Sequence, residues 1–123
     1  GYVLREAEGG LKAVIIATGS EVDLALKAYA ALTAEGVGVR VVSMPSTNVF
    51  DRQDADYRKS VLPVGVPRVA VEAGVTDGWR KYVGLEGVVV GLDTFGESAP
   101  AGELFKHFGI TADNVAKAVR SLL

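Results

Sequence analysis

Ala13-Val14-Ile15-Ile16-Ala17-Thr18-Gly19-Ser20-Glu21-Val22-Asp23 is the stretch that decides the architecture. Its first five residues form an unbroken apolar run centred on Val14, Ile15 and Ile16, as expected for a strand covered on both faces. Thr18-Gly19 ends the run. Ser20, followed three residues later by Asp23, reads as a capping box that opens a helix. In that helix Val22, Ala25, Leu26, Tyr29 and Leu32 share one face, while Glu21, Asp23, Lys27 and Glu35 point away from it. Gly36 is the natural stop. Val37 to Ser43 forms the next strand, closed by Met44-Pro45. Strand, helix and strand within about 30 residues make a βαβ unit with a right-handed crossover.

The same alternation continues outward. Tyr2 to Leu4 forms a short strand before the Gly9-Gly10 turn. Asp54 caps a short helix that ends at Leu62-Pro63, and Arg68 to Ala73 is a third clear strand. Asp77 to Gly84 supplies one or two helical turns, and Val88 to Leu92 a fourth apolar strand. Pro100 sits in the first turn of a helix closed by Gly109. Thr111 caps the final helix, which buries Val115, Val119 and Leu122. Alternating strands and helices predict an α/β fold, a three-layer α/β/α sandwich, with residues 1–123 forming a single domain.

Composition narrows the function. The 123 residues carry a net charge of -2, and their Lys and Arg are dispersed, so neither nucleic acid nor a membrane is an expected partner. Without cysteine there is no disulfide framework, zinc-thiolate site or thiol nucleophile, which suits a reducing, cytoplasmic setting. No apolar run reaches the ~18 residues that span a bilayer. The N-terminus has no signal-peptide pattern. It also lacks an initiator methionine, as expected if that residue was removed or the piece was cut from a longer chain.

The candidate chemistry is sparse. Thr18-Gly19-Ser20 lies between strand and helix, where anions bind, but it matches no phosphate-loop pattern, and Glu21 and Asp23 would repel a phosphate. His107 is the only histidine and has no partner in sequence for a metal or a nucleophile. Asp51, Asp54 and Asp56 lack the glycine and terminal glutamate of a calcium loop. Trp79, amid Arg80, Lys81 and Tyr82, reads as an interface anchor. Glu72 ends an apolar strand, where a carboxylate is costly unless hydrogen-bonded. It either ties down the next loop or meets a ligand at the C-terminal edge of the sheet. No nucleophile, base and oxyanion hole assemble, and no catalytic, cofactor-binding or metal-binding residue is assigned.

Several segments together resemble the C-terminal domain of transketolase. They are Ile16-Ala17-Thr18-Gly19-Ser20-Glu21-Val22, Val41-Val42-Ser43-Met44-Pro45-Ser46-Thr47, Ser60-Val61-Leu62-Pro63 and Val69-Ala70-Val71-Glu72-Ala73-Gly74. Gly96-Glu97-Ser98-Ala99-Pro100 and Leu104-Phe105-Lys106-His107-Phe108-Gly109 extend the match from about Leu11 to the C-terminus. The resemblance implies a five-stranded mixed sheet, mostly parallel, with the Tyr2 strand antiparallel at one edge. It implies a parent transferase that moves a two-carbon ketol unit between sugar phosphates, in the pentose phosphate pathway, with thiamine diphosphate and a divalent metal (Mg or Ca). It also implies a homodimer whose active site lies between two upstream domains from opposite subunits, with the upstream domains of the same polypeptide as this domain's partners. Gly102 and the Val64-Gly65-Val66 loop depart slightly from the family pattern. Dihydroxyacetone synthase and deoxyxylulose phosphate synthase have related domains.

Two roles for the domain follow. One is structural, supporting neighbouring domains and the dimer, with Trp79, Tyr82 or Phe95 bordering an exposed apolar patch. The other is regulatory, with a small anion or nucleotide bound at the sheet edge beside Gly19, Ser20 and Glu72. In the implied strand order the Ala13 and Arg68 strands are neighbours, so Glu72 could itself fill that crevice as an internal anion.

Overall fold

A computed structural model describes residues 2–18, 21–44, 50–63, 65–72, 80–83, 87–91 and 112–123 of the chain. In order these contain β1 (Tyr2–Arg5), β2 (Ala13–Ala17), α1 (Val22–Ala34), β3 (Val39–Ser43) and α2 (Ala55–Val61). β4 (Arg68–Glu72), α3 (Arg80–Val83), β5 (Val88–Gly91) and α4 (Ala112–Ser121) follow. The strands form one mixed sheet in the order β1-β3-β2-β4-β5. β1 runs antiparallel to β3, and the remaining pairs are parallel.

β2 lies at the centre with all five residues fully buried, which is why its sequence is apolar without alternation. The pleat divides its side chains between two cores. Ala13, Ile15 and Ala17 pack with Ala25, Ala28 and Leu32 of α1 and with Val115 and Val119 of α4. Val14 and Ile16 pack on the opposite face with Phe50, Val61, Leu62, Tyr82 and Val83. Helices therefore cover both faces of the sheet, as the alternation of elements demands.

Local chemistry sets the boundaries. Gly36 has φ 81°, the left-handed conformation that ends α1 without a Cβ penalty. Val37 N–H turns back to the Leu32 carbonyl at 2.9 Å, and the Gly38 carbonyl accepts from Lys12 N–H at 2.7 Å. A Cβ on Gly38 would stand 2.1 Å from the Gly10 carbonyl oxygen. Residues 37 and 38 are thus spent on ending the helix and passing the Gly10 turn, and β3 starts at Val39 rather than Val37. Asp54 caps α2 as expected, accepting from Tyr57 N–H at 2.8 Å.

The start of α1 differs from expectation. The N-cap is Glu21, in helical geometry and with no capping bond from its side chain, rather than Ser20. Glu21 N–H bonds the Thr18 carbonyl at 2.9 Å, which adds a tight turn ahead of the helix and rotates Glu21 inward. Glu21 is 4% exposed, so it does not point away with Asp23 and Lys27.

Candidate functional site

Val14 is in register with Arg40 on β3 and with Arg68 on β4. Level residues on adjacent parallel strands project from the same face, so the two guanidiniums flank Val14 beneath α2. Arg40 Nη1 donates to the carbonyls of Ser60 at 2.8 Å and Val61 at 3.1 Å. Arg68 Nη2 donates to those of Leu62 at 2.9 Å and Pro63 at 3.1 Å, and its Nη1 to Tyr82 at 2.7 Å. The last carbonyls of a helix have no partners within it, and they form the negative end of its dipole. Two strand arginines meet both needs at the end of α2.

The arginines differ in charge balance. Arg40 also donates to both carboxylate oxygens of Glu6, at 2.8 and 3.1 Å. That hydrogen bond, more than the Coulomb attraction beside it, holds the Glu6 carboxyl below its ordinary range. Among the described residues Arg68 has only carbonyl partners, and burial lowers its pKa from the usual very high value. It forms one wall of an open groove of about 580 Å³ whose apolar floor is Phe50, Leu62 and Tyr82. The rings of Phe50 and Tyr82 meet edge to face with centroids 6.3 Å apart, and Tyr82 Oη donates to Asp51 Oδ1 at 3.0 Å. Arg58 and Lys59 line the rim. Among the described residues no group of three or more His, Asp or Glu could hold a metal ion.

At the opposite, C-terminal edge, β2 and β4 are adjacent and parallel, with Ala17 level with Val71. The chain leaves β2 toward β3 on one side and later crosses to β4 on the other, which makes this the topological switch point. Its described acid is Glu21, whose Oε2 accepts from Thr18 Oγ1 at 3.3 Å. A carboxylate at the first turn of α1 lies at the favourable end of the helix dipole.

Comparison with known proteins decides the family. Residues 1–111 match the family described as transketolase-like TK C-terminal domain. The chain belongs to that family. Transketolase 1 of Escherichia coli is 62% identical over the whole of this transketolase C-terminal domain, which spans 19% of that relative. Transketolase 2 of Vibrio parahaemolyticus is 58% identical, again over the full chain and 19% of the relative. The chain therefore spans about a fifth of the curated relatives it matches. Among solved structures, transketolase from Leishmania mexicana superposes with TM-score 0.89 at 50% identity, covering 98% of this chain and 17% of that one. A split-gene transketolase, solved as an inactive β4 tetramer, gives TM-score 0.73 at 29% identity, covering 98% of this chain and 41% of that one.

Within this transketolase C-terminal domain the anticipated site residues fare unequally. Gly19, Ser20, Trp79, Phe95 and His107 lie outside the described residues, as does the side chain of Glu72. Glu72 ends β4, paired with Gly91. Tyr82, the one described residue of the three interface candidates, is 5% exposed and belongs to the second core. Its ring is needed to close the sheet face beneath α2, with its hydroxyl anchored to Asp51. The exposed large apolar residues among those described are Tyr2, Tyr57 and Leu123. Arg40 and Arg68 were missed. The available signal was a charged residue within Val39-Arg40-Val41-Val42 and at the head of Arg68-Val69-Ala70-Val71.

Proposed function

We propose that this chain is the structural C-terminal domain of a thiamine diphosphate-dependent transketolase that moves a two-carbon ketol unit between sugar phosphates. Identity of 62% along the entire chain, confined to 19% of the relative, carries this reading. Its sheet and two cores form a buttress against the upstream domains of the same polypeptide and support a cytoplasmic homodimer.

The described residues do not fit a role in holding thiamine diphosphate or its metal, since no His, Asp and Glu cluster there is arranged for a cation. In this reading the cofactor, its metal and the groups that act on it are held by the other domains of the polypeptide. The test is an assay of the purified chain with thiamine diphosphate, Mg and sugar phosphates. Background turnover is expected, and ketol transfer that co-purifies with the chain would overturn the assignment.

A further inference from the structure

The groove beside Arg68 has a composition that the buttress role does not use. Arginine carries five N–H donors, and Arg68 directs three bonds to the carbonyls of Leu62, Pro63 and Tyr82. Two donors remain without a partner among the described residues, on a half-buried cation that no carboxylate neutralises. Arg58 and Lys59 add two positive charges to the lining, against one negative charge from Asp51. Asp51 is engaged by the Tyr82 hydroxyl. The floor is aromatic and aliphatic, and about 580 Å³ is within the range of small-molecule sites.

We propose that this groove is a binding site for a small organic anion, an aromatic or similarly flat apolar body bearing a phosphate or carboxylate. The anionic group faces Arg68, Arg58 and Lys59, where charge-assisted bonds are strongest, and the flat body rests on Phe50, Leu62 and Tyr82. The site lies at the N-terminal end of β4, the opposite end of that strand from Glu72. It does not depend on the parent's reaction.

The test is a titration of the chain with phenyl phosphate and with inorganic phosphate, followed through the backbone amide resonances. Phenyl phosphate should bind one to one, with shifts confined to residues 50–62, Arg68 and Tyr82, and more tightly than inorganic phosphate. The double variant Arg58→Glu, Lys59→Glu changes exposed residues and should fold normally while weakening phenyl phosphate by about tenfold or more, equivalent to about 1.4 kcal/mol. Arg52→Glu, an exposed charge reversal outside the groove lining, should leave the affinity within about twofold, since screened surface charges contribute little. Scattered shifts, equal losses in both variants, no preference for the aromatic probe, or no binding at about 10 mM would each overturn the proposal.

Discussion

Arg40 and Arg68 stand on either side of Val14, and between them they donate to four consecutive carbonyls, those of Ser60, Val61, Leu62 and Pro63. The end of α2 is thereby tied to the strands on both sides of the sheet's central strand. This junction joins secondary structure to the groove, because Leu62 and Arg68 line that groove.

Removing Arg68 should cost more than removing Arg40. Arg68→Ala leaves three carbonyls of a half-buried junction without donors, and a loss of about 3 kcal/mol is expected from unsatisfied groups of this kind. Arg40 is tied to the more exposed Glu6, so Arg40→Ala should cost about 1–2 kcal/mol. Arg68→Lys should recover little, since one ammonium cannot span carbonyls on two sides. Denaturant melts of the three variants rank them, and equal stabilities for Arg68→Ala and wild type would contradict the junction.

Asp54 is extended and accepts from Tyr57 N–H, the geometry of an N-cap. Asp54→Ala should destabilise by about 1 kcal/mol, while Asp54→Asn should stay close to wild type. The measurement is the midpoint of urea unfolding.

Glycines at 36 and 38 are required for different reasons. Gly36→Ala strains a left-handed residue in open space, at a cost of about 1–2 kcal/mol. Gly38→Ala places a methyl 2.1 Å from a backbone oxygen, which a side-chain movement cannot relieve. A loss of about 3 kcal/mol or more is expected there. Thermal unfolding should show Gly38→Ala as the less stable of the two.

Acid should loosen the Glu6 contact. The folded-state pKa of Glu6 lies below its ordinary value of 4.5, chiefly through the Arg40 hydrogen bond. Its stabilisation is therefore fully present above that value and is lost as pH falls through the lower folded pKa. The contribution is small because the Glu6 side chain is 59% exposed. Glu6→Gln should show a shallower fall in Tm between about pH 5 and pH 3 than wild type, and identical slopes would contradict it.

Much of the fold was legible because the decisive features were local. The apolar run Ala13–Ala17, the Gly36 stop and the Asp54 cap each depend on a few adjacent residues. The entry to α1 was less legible, since Ser20 and Asp23 satisfy a capping pattern that the turn at Thr18 displaces by one residue. The arginine junction was hidden because it depends on register between β2, β3 and β4, which no single segment encodes. The burial of Tyr82 is hidden for a similar reason. Its neighbours in sequence are basic, whereas Phe50 and Asp51, its neighbours in space, lie some thirty residues earlier.

This chain should be interchangeable with the C-terminal domain of a related transketolase. The direct measurement is ketol transfer by a chimera in which these 123 residues replace the matching segment of Escherichia coli transketolase 1, which is 62% identical. A soluble chimera with activity within a few-fold of the parent is predicted, because the two cores and the faces built on them are carried intact. A well-folded chimera without ketol transfer would contradict the proposed function.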